Sequence, residues 1–351
     1  MRPLPTRRYG VEIECLLPCG AGLAEPTSRE LHERLAAAIM ERGVACVAEG
    51  YNHQLRSTWK IVSDSSVSAD GCVSAELVSP PLSGDVGFDQ IRRVCEVLTA
   101  FGARINTTCG LHVHVDATDE PISFFRNIAL LYMQFEPVID AIMPRSRRGA
   151  QNPYCRPVQI SDVTRVLRAA SVNDVAREIG ASDRFRKLNL TAFWRHGTVE
   201  FRHHSGTTDA DKIISWITSC LRMADAAHSL DTQELVPTER PSVSARPTSR
   251  RARLAAMMMR LTGATRAEME AAEGGTVHCI VQNMRQISLN VETVREGREV
   301  RYFIRTPAAP VARLISFESF SELIDLDDGE KRWWVSRAVN VAAQETVASV
   351  A

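Results

Sequence analysis

Gly110-Leu111-His112-Val113-His114-Val115-Asp116 is the stretch on which the reading of this chain turns. Side chains alternate faces along a strand, so His112, His114 and Asp116 point to one side and Leu111, Val113 and Val115 to the other. Two imidazoles on one face, backed by an apolar face, suit a metal or phosphate site held on a rigid sheet. A buried, hydrogen-bonded histidine pair has the same sequence signature, so the stretch needs company.

Two further stretches supply it. Tyr9-Gly-Val-Glu-Ile-Glu14 sets Glu12 and Glu14 on one face against Val11 and Ile13. Gly197-Thr-Val-Glu-Phe-Arg-His-His204 aligns Glu200, Arg202 and His204 against Val199, Phe201 and His203. Charges on a strand usually mark a solvated face, but these strands are otherwise apolar and all three carry groups that ligate hard cations. Carboxylates with some imidazole favour Mg2+ or Mn2+ over structural Zn2+. The three strands together predict a convergent metal site.

Composition bounds the rest. At 351 residues the chain has the length of two domains, and 44% hydrophobic with 24% charged residues describes an ordinary globular protein. The formal net charge is zero, so no global attraction to nucleic acid or membrane is implied. The opening residues lack the apolar core of a secretory signal, and no run approaches a membrane span. A cytoplasmic protein without membrane contact is the expectation. Nine cysteines without a Cys-x-x-Cys pair read as reduced thiols. Cys109 reads either as a nucleophile or as a small hydrophobe in a tight turn.

Along the chain, helical periodicity is expected at Ser28–Arg42, Asp89–Phe101, Ser123–Met143 and Asp209–Ala227, the last capped from Ser205-Gly-Thr-Thr. Trp59–Asp64 and Ala75–Ser79 read as strands, the second ended by Pro80-Pro81. Arg145–Arg148 is a basic cluster, either a lid near the site or a solvated corner. Regular strand-helix alternation and a Gly-rich phosphate loop are both missing, which argues against a doubly wound parallel fold. The expected class is α+β, a curved antiparallel sheet with helices packed outside, over residues 1–235. Residues 236–249 read as a linker by their Pro and Ser content. Residues 250–306 read as a winged-helix-like module: helices at Ala252–Leu261, Thr265–Ala272 and Thr276–Ile287, then a hairpin about Glu296-Gly297. Residues 307–351 are a C-terminal tail, expected to be helical, whose role the sequence does not assign.

The motifs, taken in order, resemble those of one family. Gly-Val-Glu-Ile-Glu14, Asp64-Ser-Ser-Val, Ala75-Glu76-Leu-Val-Ser-Pro-Pro-Leu, Asn106-x-x-Cys-Gly-Leu-His-Val-His-Val-Asp, Lys187-Leu-Asn-Leu and Thr198-Val-Glu-Phe-Arg-His-His-Ser-Gly-Thr together resemble the putative amidoligase family. That family is similar in turn to the catalytic domain of glutamine synthetase and other carboxylate–amine ligases. The resemblance covers about residues 7 to 230.

The resemblance implies a glutamine synthetase-like catalytic fold and an ATP-dependent ligation in two steps. A substrate carboxylate is phosphorylated to an acyl phosphate, and an amine then displaces phosphate to form the amide. Such chemistry rests on alignment and charge neutralisation by divalent ions, Mg2+ or Mn2+. By the family pattern Glu12, His112 and Glu200 gather around one metal, and Glu14 with Glu76 around a second that holds the acceptor carboxylate. His114 and Arg202 match groups that stabilise the transferring phosphoryl. Asn106 and Gly110 match the segment that approaches the acceptor substrate. Asp64 is either a further metal ligand or the group that binds and deprotonates the amine. Asp64 and Glu76 are spaced more widely than the corresponding pair in glutamine synthetase, which leaves the second metal shell open. Lys187 either neutralises a phosphate or is a surface lysine at a strand start. His203 and His204 read as structural.

Two rival functions are weighed against the ligase. A metal-dependent hydrolase would use the same residue types to activate water, but no His-Glu-x-x-His or dense Asp/His motif is present. A DNA-binding regulator carrying an inactive ligase domain would use the C-terminal module, which could equally contact protein. The carboxylate and amine substrates, small or macromolecular, and the oligomeric state are not readable from the sequence.

Overall fold

The computed structural model describes residues 6–19, 26–149, 152–159, 163–180 and 183–230, and residues 254–337 in part. The chain divides into two compact units, Met1–Leu230 with Ser316–Ala351, and Asp231–Ile315.

The first unit is built on seven strands: β1 (Tyr9–Pro18), β2 (Cys46–Ala48), β3 (Trp59–Val62), β4 (Cys72–Val78), β5 (Gly110–Asp116), β6 (Leu188–Asn189) and β7 (Thr198–Ser205). They form one open sheet in the order β2-β3-β4-β1-β5-β7-β6. The three motif strands β1, β5 and β7 are therefore adjacent at its centre. Every neighbouring pair is antiparallel except β2 and β3, which run parallel with Cys46 opposite Trp59. The sheet is thus mixed, which corrects the expectation of a wholly antiparallel one. The cause is the excursion between β2 and β3: a tight turn would have reversed the chain, whereas this longer loop returns it to the same end of the sheet. Lys60 holds the excursion in place, its ammonium donating to the carbonyls of Asn52 (3.0 Å) and Gln54 (2.9 Å).

The alternation read from the sequence divides the two faces. Val11, Ile13, Ala75, Leu77, Leu111, Val113, Val115, Val199 and Phe201 are buried on the face covered by helices. Burying each large apolar side chain contributes about 1.5–3 kcal/mol, so this face decides the register of the sheet. The cover consists of α1 (Ser28–Glu41), α2 (Gly84–Ala100), α3 (Ile122–Ala141) and α7 (Ala210–Ser229), with short helices α4 (Val163–Arg168), α5 (Val172–Glu178) and α6 (Ala192–His196). Thr27 and Glu30 form a capping box on α1. The cap of α7 is Asp209, which accepts the N–H groups of Asp211 and Lys212, rather than the Ser205–Thr208 segment expected to supply it. Ser205 still belongs to β7, so the helix cannot begin there.

A helix at 328–337 belongs to the same unit. Trp334 Nε1 donates to Ser219 Oγ of α7 (3.1 Å), its ring lies 6.4 Å from that of Trp216, and Glu330 pairs with Arg222 (2.9 Å). The tail thereby gains a structural role that its sequence did not reveal.

In the second unit, β8 (Ala264–Thr265), β9 (Val291–Glu296) and β10 (Glu299–Ile304) form a sheet in the order β8-β10-β9. Thr265 caps the helix Arg266–Glu273 in a box with Glu268, as the sequence predicts. Leu254, Met257, Met258, Met269, Val277 and Val281 make its apolar core. The linker and most of the helices expected at 252–261 and 276–287 lie outside the described residues, and the winged-helix expectation lies there with them. No helix among the described residues is long and apolar enough to cross a membrane. Eight of the cysteines are described, and all are free thiols.

Candidate active site

The uncovered face of the sheet carries the ionisable residues, and strand register pairs them. Glu14 of β1 stands opposite Glu76 of β4, Glu12 opposite His112 of β5, and His114 opposite Glu200 of β7. Cross-strand neighbours are close enough to interact side chain to side chain. His112 Nδ1 is 2.9 Å from Glu12 Oε2 and 3.7 Å from Glu200 Oε1, while its Nε2 is 3.5 Å from Glu14 Oε1. His114 Nε2 lies 3.4 Å from Glu12 Oε1 and 3.8 Å from Glu200 Oε1, and its Nδ1 bonds to Thr198 Oγ1 at 2.9 Å. Asn189 of β6 donates to the other Glu200 oxygen at 2.6 Å.

These contacts push the protonation states apart. Burial favours a neutral Glu12, but the hydrogen bond with His112 and the nearby imidazole of His114 outweigh it and hold the carboxyl well below its ordinary range. Burial, with the nearby carboxylates of Glu12, Glu14 and Asp64, drives Glu76 well above that range. Glu200 is lowered against its burial by Arg202 and His114. Burial opposes charge on His114, yet Glu200 and Glu12 raise its pKa. Such divergence within one cleft is typical of functional sites.

Arg202 keeps the face of Glu200 by regular alternation, and β7 becomes irregular immediately after it. Leu111 pairs with His204 and Val113 with Phe201, so two residues of β7, Arg202 and His203, face the single residue His112. This bulge shifts the alternation by one. Arg202 stays on the open face, donating to Glu200 Oε1 with Nη1 3.4 Å from His112 Nδ1. His204 turns to the helix face, with its ring 5.5 Å from Trp216. The alignment of His204 with Glu200 and Arg202, expected from uninterrupted alternation, is corrected by the bulge.

The pairs line the floor of a cleft of about 1770 Å3. Its rim combines Tyr51 and His53 of the β2–β3 excursion with Arg145, Tyr154, Arg184 and Trp194. Beneath them lies buried Gly110, whose N–H donates to Glu14 Oε2 (2.5 Å). A Cβ on Gly110 would meet Arg147 Nη2 at 2.7 Å and His112 Nε2 at 2.9 Å. The expected basic cluster is thus split: Arg145 and Arg147 line the cleft, while Arg148 Nε donates to the Met143 carbonyl. Arg147 is 3% exposed, and its Nε has no hydrogen-bond partner among the described residues.

The structure brings Glu12, Glu14, Asp64, Glu76, His112, His114, Glu200 and Arg202 into this cleft, with Gly110 buried beneath it. Two expected residues fall elsewhere. Lys187 is fully buried, its ammonium held by Glu136 Oε1 (2.9 Å) and Asp140 Oδ1 (2.7 Å) of α3. It neither lines the cleft nor lies at the surface, because charged partners on α3 draw it to the helix face. The Asn106 side chain is consumed by its own loop, donating to the Ser68 carbonyl (2.8 Å) and accepting the Thr108 N–H (2.9 Å). It shapes the loop that carries Thr107 and Thr108 to the cleft. Residues that sequence reasoning missed are Asn189, Thr198 and Lys60, whereas Arg147 belongs to the basic cluster expected near the site. Asn189 had a signal, since Leu188-Asn189-Leu190 places one polar side chain in an apolar strand.

Three sets of side chains could hold a cation: Glu12, Glu76 and His112; Glu12, His114 and Glu200; and Glu14, Asp64 and Glu76. The sets share Glu12 and Glu76, so they form a row rather than separate sites. Grouping differs from the expectation in that His112 joins Glu12 and Glu76 while His114 stands with Glu12 and Glu200; Asp64, for which a ligand role was one alternative, joins Glu14 and Glu76. The buried Nε2 of His114, without a hydrogen-bond partner among the described residues, and the facing pair Glu14–Glu76 both fit a bound divalent ion. Mostly carboxylate donors suit Mg2+ or Mn2+.

Residues 5–224 match a family model described as a putative amidoligase enzyme. A search of curated proteins found no match. Among solved structures, the chain is similar to Plasmodium falciparum glutamine synthetase, with 8% identity and a TM-score of 0.38 over 98% of this chain and 73% of that one. It is also similar to the complex between the prokaryotic ubiquitin-like protein Pup and its ligase PafA. There the identity is 10% and the TM-score 0.36, over 96% of this chain and 63% of that one.

Proposed function

This chain belongs to the putative amidoligase family, and from that premise we propose that it joins a carboxylate to an amine using ATP. The γ-phosphoryl group passes to the carboxylate oxygen with release of ADP; the amine nitrogen then attacks the acyl carbon and phosphate leaves. The observation that carries this reading is the floor of the cleft, where Glu14 faces Glu76, Glu12 faces His112 and His114 faces Glu200 on adjacent strands. Glu12, Glu14, Glu76, His112 and Glu200 are the proposed metal ligands. Membership of the sets described above supports adding His114 to them, and favours the ligand role for Asp64 over amine binding. Bound Mg2+ or Mn2+ would neutralise charge on the phosphates and on the acceptor carboxylate.

The remaining groups belong to the chain itself. Arg202 lies beside Glu200, and its buried Nε has no hydrogen-bond partner among the described residues. It is the proposed donor to oxygens of the transferring phosphoryl, whose charge is spread over the equatorial positions. Gly110 leaves room for Arg147, which lines the cleft and offers a buried guanidinium to the acceptor carboxylate. The rigid sheet beneath fixes these groups before substrate arrives, which is where such chemistry gains most of its rate. The size of the cleft admits small or macromolecular acceptors alike.

The test is incubation with ATP, Mg2+ and a panel of carboxylates and amines, reading ADP release and product mass. ADP formation that needs both acceptors, with an amide product, is expected, and Glu14→Ala should abolish it. Hydrolysis of a substrate without nucleotide would overturn the proposal in favour of a metal-dependent hydrolase.

A further inference from the structure

Behind the site, on the helix-covered face, lies a polar network that the proposed chemistry does not use. His203, fully buried, is held at both ring nitrogens: Nδ1 by the Tyr132 hydroxyl (2.8 Å) and Nε2 by Asp140 Oδ1 (2.6 Å). Asp140 also receives the Lys187 ammonium at 2.7 Å, and Lys187 reaches Glu136 at 2.9 Å. The second Glu136 oxygen accepts the Val158 N–H (2.9 Å). The backbone of Arg202 is tied into the same cluster. Its N–H donates to the Lys187 carbonyl (2.8 Å), and its carbonyl accepts from Cys155 Sγ (3.3 Å).

Buried ion pairs of this kind are poor stabilisers, because desolvation offsets most of the attraction; well-packed apolar residues of similar volume often do as well or better. What the network supplies is geometry. The bulge must break the alternation just after Arg202, so that Arg202 keeps the open face while His203 and His204 both turn to the helix face. An unpinned bulge could slide along the ladder, and a slip of one residue would take Arg202 to the wrong face.

We infer that His203, Asp140 and Lys187 are positioning residues, which lock the β7 bulge from behind and so hold the Arg202 guanidinium against Glu200 of its own strand and toward His112 of β5. The inference rests on the reading of Arg202 as the group that stabilises the transferring phosphoryl. It gives Lys187 a role in the same site without contact to substrate.

The test uses the full chain with Asp140→Asn, which keeps the size of the side chain and removes the charge that binds both His203 and Lys187. Crystal structures of wild type and variant should show the Arg202–Glu200 contact broken in the variant. Turnover should fall about tenfold or more, mainly in kcat, with KM for ATP little changed. In an Arg202→Lys background, Asp140→Asn should add less than about a twofold further loss, because both substitutions act through the same group. Equal fold-losses in the two backgrounds, or an unmoved Arg202 in the variant crystal, would overturn the inference. Should wild type show no ligation with any substrate, the proposed function fails, but the crystal comparison still decides the positioning role. If Asp140→Asn does not fold, Tyr132→Phe removes one hydroxyl from His203, and the same displacement of Arg202 is expected and read in the same way.

Discussion

Glu14 and Glu76 face each other directly across the β1–β4 ladder, two carboxylates paired at the floor of one cleft. Like charges opposite one another destabilise a sheet. Here burial and the carboxylates of Glu12, Glu14 and Asp64 hold the proton on Glu76 well above pH 4.5. A raised carboxyl stabilises the fold while it stays protonated, and that contribution is lost as pH rises through the folded value. Glu76→Gln should therefore raise the melting temperature measured in chelator, by about 2–4 °C for each kcal/mol relieved. The gain should widen with pH. The same variant should lose most of the melting-temperature increase that Mn2+ gives wild type. An equal Mn2+ response in both proteins would remove Glu76 from the ligands.

Gly110→Ala tests the packing beneath Arg147 and His112. The added methyl meets Arg147 Nη2 at 2.7 Å and His112 Nε2 at 2.9 Å, and overpacking of this kind costs about 1–3 kcal/mol. The methyl points at both groups, so the fold should survive while His112 and Arg147 are displaced. We expect a folded protein with a melting temperature lowered by a few degrees and turnover reduced about a hundredfold, since small misplacements of catalytic groups are severe. Wild-type turnover in this variant would show that neither side chain needs its present position.

Thr198→Val separates the two roles open to His114. The Thr198 hydroxyl bonds to Nδ1 at 2.9 Å and so orients Nε2 toward Glu12 and Glu200. Groups that orient a metal-bound histidine typically affect metal affinity or activity about 10–100-fold. If His114 is a ligand, calorimetric Mn2+ affinity should fall within that range in the isosteric variant. If His114 serves only the phosphoryl group, affinity for Mn2+ will be unchanged and only kcat will drop.

The local part of this site was legible in the sequence, because alternation is a property of neighbouring residues. It put Glu12 with Glu14, His112 with His114, and Glu200 with Arg202 on common faces, and all six line the cleft. Features that depend on a partner strand or helix were not legible. The bulge that turns His204 away becomes visible only when β5 is laid beside β7. Lys187 was misjudged because its partners Glu136 and Asp140 lie about fifty residues earlier on α3. Asn106 looked like a substrate group because a loop residue that bonds to its own loop has the same sequence as one that faces a ligand. The parallel pairing of β2 with β3 hangs on the path of the excursion, which Lys60 fixes through three bonds to Asn52 and Gln54.

The tail gives a stability prediction. Trp334 is 1% exposed, tilted against Trp216 and bonded to Ser219. Truncating a buried tryptophan to alanine costs about 3–5 kcal/mol when it belongs to the core of the unfolding unit. Trp334→Ala should lower the main unfolding transition by about 10 °C, with a parallel loss of Mn2+-dependent stabilisation, since the cleft belongs to the same unit. A variant that melts like wild type would show that the helix at 328–337 is not integral to that unit.

His204 gives the acid response of the fold. It is fully buried against Trp216, and burial lowers its pKa to about 3, with the Ser205 carbonyl opposing and Arg337, Arg147 and His203 adding to the decrease. In the unfolded chain it takes up a proton near pH 6.5. Between these values the unfolded state binds more protons, so stability present above pH 6.5 is lost as pH falls toward 3. From pH 6.5 to 5 the loss from this one residue is about 2 kcal/mol, or roughly 4–8 °C in melting temperature. His203, lowered to about 4 by burial against its bond to Asp140, acts in the same direction, whereas the raised His114 and Glu76 act in the opposite one. The difference between variant and wild type therefore isolates the term. His204→Gln should lower stability at pH 7 yet melt with a visibly shallower dependence between pH 7 and 5. An unchanged slope would mean that His204 is already protonated in the folded protein.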